Sequence, residues 1–165
     1  MPPEAHFDLS TLDQTKVVAD HDAIRKINLQ RFEMEQLDGI LFFDRERALM
    51  IGYKDVRPDE FWVRGHMPGM PLMPGVIMCE SAAQLCSYFS VTQGVIEPGR
   101  MLGFGGMEDV RFRGAVKPGD RLILVCKGER LHRRHSIFDV QGFVNGVMVF
   151  HGKVIGVPLD APPGA

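Results

Sequence analysis

Two ionisable side chains stand out for their surroundings. His66 lies in Gly65-His66-Met67-Pro68-Gly69-Met70-Pro71-Leu72-Met73-Pro74-Gly75, and Glu80 follows it by fourteen positions inside an otherwise apolar run. Three prolines and three glycines in those eleven residues fix an irregular path with little conformational freedom. Such a loop can hold an imidazole rigidly against whatever follows. A histidine is the usual general base near neutral pH, and a carboxyl kept protonated by burial can act as general acid. Gly75 closes the loop at the expected start of a helix, where backbone N–H groups are unpaired and the dipole favours developing negative charge. A base, an acid and an N–H donor are the parts needed to work on a carbonyl compound. A histidine alone is more often a satisfied structural residue; within this loop the balance reverses.

The elements that must position these groups follow from the pattern around them. Val76–Val91 (VIMCESAAQLCSYFSV) runs for sixteen residues without Gly or Pro and is apolar or small on every side. A helix of that kind has to be buried, because no face is left to meet water. Glu80 is its one charged residue, and Gln84 falls one turn later on the same face. An isolated buried carboxylate is costly, so Glu80 must be paired, protonated or facing a cavity. A glutamate at a helix start would need only the dipole to explain it, but Glu80 sits about a turn too deep. Strand-like runs flank the helix: Leu37–Phe43, Ala48–Val56, Glu108–Val116, Arg121–Leu131, Ser136–Asn145 and Val147–Val157. Asn145-Gly146 marks a tight hairpin and Lys117-Pro118-Gly119-Asp120 a second turn. Together they predict an α+β domain, a curved antiparallel sheet wrapped around one long central helix.

Composition narrows the setting. At 165 residues, 45% hydrophobic and 24% charged, the chain reads as one folded domain over 23–158, with a loose polar arm at 1–22 and a flexible tail at 159–165. A net charge of -2 gives no support to nucleic-acid binding. Cys79, Cys86 and Cys126 form no C-x-x-C pair, which favours reduced, buried thiols in a cytoplasmic setting. The first residues lack the apolar core of a signal peptide, and the longest charge-free stretch, Ser81–Ile96, is short of the about 20 apolar residues that span a bilayer. His6, His21 and His151 have no partner at metal spacing, so neither a metal nor another cofactor is expected.

G-H-M-P-G-M-P-L-M-P-G-V-I-M-C-E-S-A-A-Q closely resembles the active-site signature of the 3-hydroxyacyl-acyl-carrier-protein dehydratases, whose pattern is G-H-F-P-G-x-P-x-M-P-G-V, then an acidic residue on the central helix and a glutamine four residues on. Gly106-Met107-Glu108-Asp109-Val110-Arg111-Phe112-Arg113 and Val116-Lys117-Pro118-Gly119-Asp120 resemble the family's later strand and turn, and the likeness runs from about Ile24 to Val157. It implies a hot-dog fold and removal of water from a 3-hydroxyacyl thioester on acyl carrier protein or coenzyme A. His66 would be the base, Glu80 the acid and the Gly75 N–H the donor to the thioester carbonyl. Met67, Pro68, Gly69, Met73, Pro74, Gln84, Gly103 and Phe104 would contact substrate. Arg111, Arg113 and Lys117 would face an acidic carrier. The family builds each site from two subunits, which implies at least a homodimer, with a trimer of dimers as a further option.

The chain departs from the family pattern in three places. The N-terminal motif keeps only Arg31, Phe32 and Asp38; Met67 replaces an aromatic; and Gly103 stands where a gating tyrosine is common. The last two changes predict a roomier acyl path and longer substrates. Two competing functions remain on this fold, an acyl thioesterase using the helix carboxylate to activate water, and a non-catalytic acyl-binding subunit.

Overall fold

Six runs of alternating side chains pair into a single antiparallel sheet in the computed structural model of the chain, which describes residues 1–162. The strands are β1 (Gly39–Asp44), β2 (Leu49–Asp55), β3 (Arg100–Phe112), β4 (Arg121–His132), β5 (His135–Val144) and β6 (Val147–Asp160). Their order across the sheet is β1-β2-β4-β5-β6-β3. Two-residue turns link β4 to β5 and β5 to β6. In the second, Asn145 and Gly146 take φ values of 50° and 77°, the left-handed pair that such hairpin turns require. The turn into β4 is closed by the Asp120 N–H, which donates to Lys117 O at 3.0 Å.

β3 is the element least like its expectation. It starts at Arg100 rather than Glu108 and lies at the sheet edge, paired only with β6. Its first half carries Gly103, Gly105 and Gly106, which weaken the strand signal, and shifts of register between Phe104 and Gly106 and between Glu108 and Arg111 break the alternation. β6 also outruns its expectation. It reaches Asp160, and the Ala161 N–H donates to Gly99 O at 3.1 Å, so the tail expected from 159 begins inside a strand. Residues 163–165 of that tail lie outside the described residues.

A short helix, α1 (His21–Arg25), precedes β1, and the long helix, α2 (Gly75–Thr92), lies against one face of the sheet. Leu85, Cys86 and Phe89 of α2 pack on Leu124, Cys126 and Phe138, with the Phe89 and Phe138 rings edge to face at 5.4 Å. Burial of side chains of this size, at about 1.5–3 kcal/mol each, is what holds helix to sheet. The side of α2 away from the sheet is a different matter. Val76 is 72% exposed, and Glu80, Ala83 and Ser87 along the same stripe are only half-buried. One chain therefore delivers only part of the all-round burial that the helix composition demands.

The opposite face of the sheet is covered by the N-terminal arm. Phe7, Leu9 and Leu12 pack on Leu49, Ile51, Ile123 and their neighbours. His6 Nε2 stands 3.1 Å from Asp139 Oδ1, and its N–H donates to Gln141 Oε1 at 3.0 Å. The arm is tied down rather than loose, because Phe7, Leu9 and Leu12 find an apolar face to cover. No helix among the described residues is long and apolar enough to cross a membrane.

Candidate active site

The His66 loop closes on itself. The His66 N–H donates to Trp62 O at 2.7 Å, the Met70 N–H to Met67 O at 2.8 Å, and the Leu72 N–H returns to His66 O at 3.4 Å. Met67 at φ 65° and Gly69 at φ 84° make the reversals, and the Met73 N–H donates to Val116 O at 2.7 Å, which pins the far end of the loop to the turn before β4. The imidazole is fixed in turn: His66 Nδ1 lies 2.7 Å from Leu72 O. A carbonyl can only accept, so in the neutral imidazole Nδ1 carries the proton and Nε2 presents its lone pair. That is the tautomer a general base needs.

Glu80 is held from its own helix. Gln84 Nε2 donates to Glu80 Oε1 at 2.7 Å and to Met34 O at 2.6 Å, while Gln84 Oε1 accepts the Gln36 N–H at 2.9 Å. Asn28 Nδ2 donates to Gln84 O at 2.9 Å. With one carboxyl oxygen accepting from an amide, a proton on Glu80 belongs on Oε2, the oxygen left free to donate. Gln84 is 2% exposed, so its replacement leaves the buried Gln36 N–H without its acceptor and removes the donor to Glu80 and Met34. Gln84→Leu is expected to lower stability by about 1–3 kcal/mol, read by urea unfolding, and to lower kcat as well, because Glu80 loses its orienting donor.

At the start of α2, neither the Gly75 nor the Val76 N–H donates to a backbone acceptor among the described residues, and no side chain caps the helix. The half-exposed Phe112 ring lies over this helix start: a Cβ on Gly75 would stand 2.6 Å from its tip. His66 and Glu80 share no hydrogen bond or ion pair within the chain. No group of three or more His, Cys, Asp or Glu among the described residues is arranged to hold a metal.

Residues 28–153 match a family profile described as the FabA-like domain. The chain belongs to the FabA-like family. It is 30% identical to the 3-hydroxyacyl-[acyl-carrier-protein] dehydratase FabZ of Sorangium cellulosum over 91% of this chain and 97% of that one. It is 33% identical to the FabZ of Escherichia coli over 76% of this chain and 79% of that one. Among solved structures, the dehydratase heterocomplex ApeI:P from Xenorhabdus doucetiae superposes with a TM-score of 0.65 at 15% identity, covering 85% of this chain and 91% of that one. A hypothetical thioesterase with coenzyme A from Streptococcus pneumoniae gives 0.61 at 11% identity, over 84% and 96%. At such identities the structural likeness speaks for the hot-dog fold alone.

The other residues singled out in this FabA-like chain divide into two groups. Met67, Pro68 and Gly69 are exposed on the loop, and Met73 and Pro74 lead from it into α2. Phe104 is 60% exposed. Gly103 is placed otherwise. It is buried, and a Cβ on it would meet Leu159 Cδ1 at 2.4 Å and Val157 O at 3.1 Å. Its neighbour Leu102 points to the α2 side, packing on the core and over Gly156, so Gly103 faces the other side of the sheet. Glycine at 103 therefore opens no room beside the helix, and the longer-substrate expectation loses that support. Of the basic residues, Lys117 adjoins the site through Val116. Arg111 and Arg113 gather instead at His151, which Arg113 Nη2 meets at 2.9 Å. Burial and then Arg113 hold the His151 imidazole below its usual pKa. Sequence reasoning missed Leu72, Asn28, Met34 and Gln36, which act mainly through backbone groups or lie far from the motif.

Proposed function

We propose that the chain is a hydro-lyase that converts a 3-hydroxyacyl thioester, carried on acyl carrier protein, to the trans-2-enoyl thioester and water. The observation that carries this reading is the Nδ1–Leu72 bond, which leaves His66 Nε2 as a positioned base. Nε2 takes a proton from C2, and the electron pair of that C–H bond becomes the second bond of C2=C3. The C3–O bond breaks, and Glu80 Oε2 supplies the proton with which hydroxide leaves as water. Charge gathering on the thioester oxygen meets the free N–H groups at Gly75 and Val76. The FabZ relatives carry this reaction in their names.

The site is shared in a homodimer. Glu80 lies on the uncovered stripe of α2, β3 presents a free edge thirteen residues long, and His66 does not touch Glu80 of its own chain. A two-fold pairing that covers α2 and β3 brings His66 of one protomer to Glu80 of the other.

A thioesterase reading accounts for the carboxylate alone and leaves the locked histidine without a task. The two are separated by mass spectrometry of a 3-hydroxyacyl carrier protein incubated with the purified chain. Loss of water from the acyl group is expected; release of free carrier thiol without enoyl product would overturn the proposal.

A further inference from the structure

Lys54 is a charged residue in the wrong place for a surface role. It follows Met50 and Gly52 on the core side of β2 and is fully buried, at 0% exposed. Its Nζ lies 2.9 Å from Glu60 Oε1 and 3.6 Å from Asp38 Oδ2, carboxylates whose side chains are 6% and 14% exposed. The ammonium makes no aligned hydrogen bond, so these contacts are ion pairs held by charge. Asp38 Oδ2 also accepts the Asp55 N–H at 2.8 Å, and the half-exposed Arg57 closes the cluster 3.4 Å from Asp38 and 3.7 Å from Glu60. Two cations thus face two carboxylates.

A buried ion pair adds little net stability, because desolvation of its charges offsets their attraction. What it fixes is geometry, and the segment fixed here leads to the base. Glu60 O accepts the Val63 N–H at 3.0 Å, and Trp62 O accepts the N–H groups of Gly65 and His66 at 3.1 and 2.7 Å. Glu60 therefore starts a run of two hydrogen-bonded turns that ends on His66. The far side of the histidine is held by Leu72 and by the Met73–Val116 bond. On the near side, Lys54 is the buried anchor.

We infer that Lys54, through Glu60, is a positioning residue for His66: it sets where the base stands and touches no substrate. The inference rests on the shared-site reading above, since it assigns Lys54 to the half-site that contributes His66. Its defect must then be carried by one half-site only. In the Lys54→Met enzyme, kcat is expected to fall about 10- to 100-fold with KM little changed, the size of effect that small misplacement of a catalytic group produces. Lys54→Arg should restore most of the loss.

The deciding experiment uses doubly tagged mixed dimers. Lys54→Met paired with Glu80→Ala combines a sound His66 from the second chain with a sound Glu80 from the first, and should equal a control pair of His66→Ala with Glu80→Ala. Lys54→Met paired with His66→Ala can use only the displaced histidine and should stay low. Equal recovery with both partners, or an unchanged kcat in Lys54→Met, overturns the inference. If Lys54→Met does not fold, Lys54→Met/Glu60→Leu removes both charges of the pair and is judged by the same comparison. A silent control pair would instead overturn the shared site. The positioning role would then be judged on the kcat loss and its rescue by Lys54→Arg, and would fall without them.

Discussion

His66→Ala and Glu80→Ala are each expected to lower turnover of a 3-hydroxyacyl thioester by roughly 10²–10⁴-fold, the usual cost of removing a positioned base or acid. Neither should unfold the chain. His66→Ala gives up the bond from Nδ1 to Leu72 O, worth about 1 kcal/mol, while the main-chain bonds to Trp62 and Leu72 remain. Glu80 is half-buried and bonded only to Gln84, which keeps its bonds to Met34 and Gln36. Loss of activity with urea unfolding still cooperative, and stability lowered by no more than about 1 kcal/mol, is the expected pair of observations. Near-normal turnover in either variant would remove that residue from the mechanism.

The second large effect is a recovery. Neither variant is expected to work alone, but on the proposed shared site a dimer built from one of each has one site with both residues and one with neither. A purified mixed dimer should therefore regain about half of the wild-type rate, as two-fold symmetry dictates when each site draws on both chains. Activity at the background of the single variants, in a sample shown to be mixed by its two tags, would mean that each site is built within one chain.

Much of this was readable from sequence where the chemistry is local. The helix around Glu80 was expected at Val76–Val91 and occupies Gly75–Thr92, because a run without Gly or Pro leaves little choice of structure. Asn145-Gly146 marked its hairpin because few residue pairs accept two positive φ angles. The His66 loop announced itself through its prolines and glycines. What stayed hidden depends on partners distant in sequence. The strand half Arg100–Met107 is glycine-rich and acquires its conformation from β6, fifty residues on. The setting of Gln84 required knowing that Asn28, Met34 and Gln36 return to cover it. Gly103 lay outside the expected strand and was read, by resemblance, as widening the acyl path; β3 instead includes it and turns it toward Leu159 and Val157, away from the helix. Lys54 could have been noticed: on the alternation of Met50 and Gly52 it falls on the inward side, where an unpaired ammonium is not tolerated.

The arm that Phe7, Leu9 and Leu12 fasten over the outer face bears on how copies of this chain can accumulate. Two sheets stack face to face about 10 Å apart only if both present bare apolar side chains. Here the ground between β1 and β5 is already occupied by the chain's own first residues, with His6 and Gln141 bonded across it. Back-to-back stacking of sheets would first have to peel that segment away and leave Leu49, Ile51 and Ile123 exposed. With the arm in place, the broad outer face of the sheet is closed to such stacking.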